Sequence, residues 1–107
     1  MSSRIIILAQ RIKQNPNDSL SKFALALEMV KNDNFTKARV LFENIIEHDP
    51  DYVGVYYHLG NLFEEINENI LAKNIYKQGI EVAVRLRDNH AKSELQSALM
   101  NLEIDSN

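Results

Sequence analysis

The chain has 107 residues, the length of one compact domain, and its 45% hydrophobic and 25% charged content is that of a folded protein. Three glycines and two prolines are too few for a turn-rich β architecture, and the lack of cysteine excludes disulfides, thiolate metal sites and a cysteine nucleophile. A net charge of −3 gives no cationic surplus for nucleic acid, and no apolar run nears the ~18 residues of a membrane span.

Neither nucleic acid nor a membrane is therefore an expected partner, and a cytoplasmic protein is the default expectation. The first predicted element is a helix over 3–15, with Ile5, Leu8 and Ile12 on one face. Asn15-Pro16 ends it, because the residue before a proline is pushed out of the helical region. The run Ile5 to Ala9 is too short for a secretion-signal core, and only Arg4 precedes it as a charge. A second helix is expected from about Ser19 to Lys31, carrying Leu25 and Met29, with Asp18 or Ser19 as its N-cap.

Asn32-Asp33-Asn34 breaks that pattern with residues that favour turns. The third helix places Ala38, Leu41, Phe42, Ile45 and Ile46 on one side and stops at Asp49-Pro50. Val53 to Glu65, a break at Asn67-Glu68-Asn69, and Ile70 to about Arg87 repeat the plan. Asp88 can then cap a last helix, to about residue 104, with Ala91, Leu95, Ala98, Leu99 and Leu102 on its apolar side.

The repetition has a period. Pro16 and Pro50 lie 34 residues apart, and the same shift pairs Leu25 with Leu59, Ala38 with Ala72, Ile46 with Ile80 and Glu47 with Glu81. Phe23 with Tyr57, Ala26 with Gly60, Met29 with Phe63, Leu41 with Ile75 and Phe42 with Tyr76 are conservative partners at that shift. Tyr56, Leu59, Gly60, Phe63, Ala72 and Tyr76 in the second unit resemble the tetratricopeptide repeat, as do Leu25, Ala26, Met29, Ala38, Phe42 and Pro50 in the first. The small residues let paired helices approach, and the aromatics fill the space between stacked pairs. Two positions depart from the pattern. Lys22 stands in the first unit's aromatic slot, and Val84 replaces the second unit's closing proline, so that helix is expected to run on.

The resemblance implies an all-α fold, a right-handed helical-repeat superhelix of about six antiparallel helices. The expected organisation is one domain over 1–107: an N-terminal capping helix at 3–15, repeats at 19–50 and 53–87, and a C-terminal capping helix at 88–104. Terminal covers are needed because each repeat leaves an apolar face open.

No catalytic chemistry emerges. His48, His58 and His90 are never three or four residues apart, and no HExxH is present. Glu64, Glu65 and Glu68 form an acidic cluster without a nucleophile, and Gly54, Gly60 and Gly79 are too isolated to cradle a phosphate. Arg85, Arg87 and Lys92 read as a solvated basic face. No enzyme activity, cofactor or metal is expected.

What remains is the surface that stacked hairpins create. The resemblance implies a peptide-binding groove on the first helix of each pair, at Leu20, Phe23, Leu27, Val30 and Lys31 in the first unit. In the second it falls at Gly54, Tyr57, Asn61, Glu64 and Glu65, with Asp51 and Tyr52 at the turn between units. Two readings stand side by side here. Phe23, Leu27 and Tyr57 could form an open apolar groove with Asn61 as a hydrogen-bonding clamp, or the N-terminal helix and its Ile5, Ile6 and Ile7 could cover that face. The Lys and Asn pairs with which some family members grip a terminal carboxylate are replaced by Phe23 and Leu27 in the first unit, and only Asn61 fits in the second. With Glu64 and Glu65 close by, an apolar or basic segment is the expected partner, and an acidic tail is not. The alternative function is homo-oligomeric assembly through the isoleucine-rich N-terminal helix, with a homodimer as its simplest form.

Overall fold

The computed structural model describes residues 3–105, and all regular structure among them is α-helical. The chain falls into two compact units divided between Tyr52 and Val53, at the expected repeat boundary. The first unit holds α1 (Ser3–Gln14), α2 (Ser19–Lys31) and α3 (Phe35–His48); the second holds α4 (Gly54–Glu65), α5 (Asn69–Leu86) and α6 (Asn89–Asp105).

In the first unit α2 and α3 form a tight hairpin. Ala26 and Ala38 have no exposed surface, which allows the close approach that larger side chains would forbid, and Phe42 and Ile45 are fully buried beside them. Asp18 caps α2: its carboxylate accepts from the Ser21 backbone N–H (3.0 Å) and from the Ser21 hydroxyl (2.6 Å). Those two bonds lower the Asp18 pKa. Helix α1 then lies on α2 through Ile5, Leu8 and Leu25, with Ile12, Ala24, Met29 and Leu41 packed around them.

The second unit repeats the hairpin in α4 and α5 and adds α6. An ideal Cβ at Gly60 would fall 2.1 Å from the Tyr76 ring, and one at Gly79 would fall 2.5 Å from the Tyr56 Cβ and 3.0 Å from Leu95. Gly60 of α4 thus makes room for the Tyr76 ring of α5, and Gly79 lets α5 sit against α4 on one side and α6 on the other. Helix α6 packs by Leu95 and Leu102, both almost fully buried, and Asp88 caps it by accepting from the Ala91 N–H (3.0 Å). As expected without a closing proline, α5 runs to 18 residues against 14 in α3.

The two break signals and the end of α5 are realised by one device. Asp33, Asn67 and Arg87 each take a positive φ near 60°, where the helix ends in a left-handed residue. The following N–H returns to the helix in each case, from Asn34 to the Met29 carbonyl (2.8 Å), Glu68 to Phe63 (2.7 Å) and Asp88 to Ala83 (2.9 Å).

Candidate protein-interaction surface

On α2 the residues of the expected groove leave the hairpin on a side that α1 does not occupy. Leu20 is 68% exposed, Phe23, Leu27 and Val30 are half-buried, and Lys31 is exposed. Helix α1 covers Leu25, Ala24 and Met29 instead, and its Ile6 and Ile7 remain about half exposed at 47% and 49%. The covering role considered for Ile5, Ile6 and Ile7 thus narrows to Ile5, and it falls on a different face of α2. Geometry explains this: Ile6 and Ile7 sit one and two residues past Ile5, and a rotation of about 100° per residue carries them off the packed face.

Phe23 anchors an aromatic group. Its ring centroid lies 5.3 Å from that of Tyr52 and 6.1 Å from that of Phe42, tilted in both cases, as ring quadrupoles favour. Burial, reinforced by Asp49 and Asp18, raises the Tyr52 pKa.

On α4 the equivalent side presents exposed Gly54, half-buried Tyr57, exposed Asn61, half-buried Glu64 and exposed Glu65. Tyr57 packs edge-on against His58 at 5.5 Å. Asn61 and Glu64 are both engaged by the buried Tyr76 hydroxyl, which reaches the Asn61 amide oxygen at 2.6 Å and the Glu64 carboxylate. One phenol proton serves one acceptor at a time, and the carboxylate is the stronger. Burial first, then the Glu64 bond, drives the Tyr76 pKa far upward. The Glu64 carboxylate is thereby held by a bond from the core, and the Asn61 side chain lies against the same hydroxyl.

His48 closes α3, its Nδ1 donating to the Asn44 carbonyl (3.0 Å). Burial lowers the His58 pKa, with Glu94 opposing. Among the described residues no three of His, Asp and Glu gather in a way that could hold a metal ion.

Sequence reasoning missed three features. Lys22, standing in the aromatic slot, is buried with its Nζ donating to Asn44 Oδ1 at 2.7 Å. Gly79 occupies the position that Ile45 holds in the first repeat, and the matched exchange of Lys22 for Tyr56 was the available signal. A broad aromatic in one helix needs a glycine opposite; a thin lysine stem tolerates isoleucine. The third is an apolar groove of about 380 Å³ bounded by α1, α2 and α3.

The sequence matches no family model and no curated protein. Among solved structures it is similar to a tetratricopeptide repeat domain protein from Salinibacter ruber. The crystal structure of that protein is 46% identical over 80% of this chain and 96% of its own, with a TM-score of 0.76. Its solution structure is 46% identical over 83% and 90%, with a TM-score of 0.79. A protein from Bordetella parapertussis shares the fold at 21% identity, covering 98% of this chain and 91% of its own, with a TM-score of 0.84. The chain belongs to the tetratricopeptide repeat family.

Proposed function

We propose that the chain is a non-catalytic protein-interaction module that captures an apolar or basic peptide, or a partner helix, on the groove face of α2 and on the repeat-equivalent face of α4. The observation that carries this reading is the Leu20–Phe23–Leu27 face of α2, which leaves a 68%-exposed leucine beside a half-buried aromatic although α1 and α3 both pack on the same helix. Aromatic anchors backed by a rigid core commonly dominate binding energy, and Phe23 is backed by Phe42 and Tyr52. On α4, Tyr57 supplies a second anchor, Asn61 an exposed polar side chain for a ligand backbone, and Glu64 with Glu65 the preference for basic over acidic segments.

Selection from a random peptide display library tests the chemistry. Enriched sequences should combine large apolar residues with Lys or Arg, and their addition should shift the amide resonances of α2 and α4. Enrichment of acidic sequences, or shifts confined to other helices, would contradict the reading.

A further inference from the structure

The groove bounded by α1, α2 and α3 lies on a different side of the first unit from Phe23 and Leu27. Ile5 and Ala9 of α1, Leu25 and Met29 of α2, and Val40 and Leu41 of α3 line it, with Thr36 and Lys37 at the rim. Val40 is 62% exposed, so an apolar wall faces solvent. The second unit carries exposed apolar side chains of its own. On α6, Met100 and Ile104 are 57% and 64% exposed and one helical turn apart, which makes them a single ridge.

Charge selects the pairing. Helix α1 carries Arg4, Arg11 and Lys13 with no acidic residue, and Arg4 is bridged to Glu28 at 3.0 Å. The groove-lining first half of α3 carries Lys37 and no acid, and its Arg39 is bridged to Glu43 at 3.3 Å. The ridge half of α6, from Gln96 on, carries Glu103 and Asp105 and no base. Pairing two α1 helices through Ile6 and Ile7 would oppose two purely basic helices, which is unfavourable. Seating the acid-flanked ridge in the groove brings Glu103 and Asp105 toward Lys37 at its edge, and it follows the helix-in-groove mode of recognition.

We propose that the occupant of this groove is the Met100–Ile104 ridge of a second copy of the chain. Each copy then offers one groove and one ridge, a heterologous contact that does not depend on the peptide-binding faces of α2 and α4. Met100 suits the role, since its flexible thioether side chain adapts to an irregular apolar slot. Lys37 at the rim meets Glu103 or Asp105, so the association weakens with salt.

Sedimentation velocity from micromolar to millimolar concentration is the test, with Val40→Asp as the groove variant and Met100→Asp/Ile104→Asp as the ridge variant. All three positions are exposed, so circular dichroism should stay unchanged. The wild type should associate reversibly, and each variant alone should lose association by about tenfold or more. Mixing the two variants should restore a one-to-one complex, because the intact groove of one meets the intact ridge of the other. A wild type that stays monomeric at every concentration overturns the proposal. So does association that survives either variant, or variants that fail to complement. Leu20→Glu and Phe23→Ala, which address peptide capture, should leave the association intact.

Discussion

At the residue scale, the three glycines of the second repeat differ in what surrounds them. Gly54 has nothing within 4 Å of an added Cβ, whereas Gly60 and Gly79 face Tyr76 and Tyr56. Helix propensity favours alanine by about 1 kcal/mol, and overpacking costs ~1–3 kcal/mol. Gly54→Ala should therefore stabilise by up to about 1 kcal/mol. Gly60→Ala should destabilise by about 1 kcal/mol or more, and Gly79→Ala by at least as much, since the Tyr56 Cβ cannot rotate away. Urea titration of the three variants checks the order. Lys22 illustrates the converse economy: the stem fills the slot and Asn44 holds the ammonium, so a charged residue sits where an aromatic was expected. His58 sets a pH dependence. Its folded-state pKa lies below the unfolded value of 6.5, so the unfolded chain takes up protons first as pH falls. The stability it contributes is present above pH 6.5 and is lost as pH falls toward the folded value. His58→Gln should flatten the acid limb of a stability–pH curve below 6.5 and leave the neutral region parallel to wild type.

At the element scale, helix identity and order were legible because periodicity and punctuation agreed. The Asp18 and Asp88 caps, the two Asn/Asp breaks and the prolines all fall where short-range chemistry puts them. Differences are confined to ends: α4 begins at Gly54 rather than Val53, and α5 spans Asn69–Leu86 rather than 70–87. What sequence patterns did not reveal is how the helices end. Asp33 and Asn67 tolerate the left-handed region through short polar side chains, but Arg87 takes the same conformation at φ 58° without that allowance. A left-handed non-glycine residue costs roughly 1–2 kcal/mol, part of which glycine returns as unfolded-state entropy. Arg87→Gly should raise stability by about 0.5–1 kcal/mol in thermal or urea melts; a loss would mean that the arginine side chain makes contacts worth more than the strain.

At the scale of the whole molecule, the candidate surface was legible in part. The 34-residue shift pointed to Phe23 and Tyr57 together, because a repeat places equivalent residues in equivalent roles. It gave no sign that Asn61 and Glu64 are tied to Tyr76, since that bond crosses between helices and no local pattern encodes it. It was equally silent on which face α1 would take, because Ile5, Ile6 and Ile7 are chemically alike and only the packed register separates them. We expect the two units to behave as one folding domain over 1–107. Each contains about fifty residues, near the size at which a core alone is marginal, and repeats draw stability from their neighbours. A single urea transition, superimposable by circular dichroism and tyrosine fluorescence, is the expected result, and two separated transitions would contradict it. The central claim concerns capture on α2 and α4, and calorimetric titration with a display-selected peptide tests it most directly. Leu20→Glu, Phe23→Ala and Tyr57→Ala, each verified as folded, should weaken binding by about tenfold or more. Affinities within twofold of wild type for all three would place the recognition surface elsewhere and contradict the account.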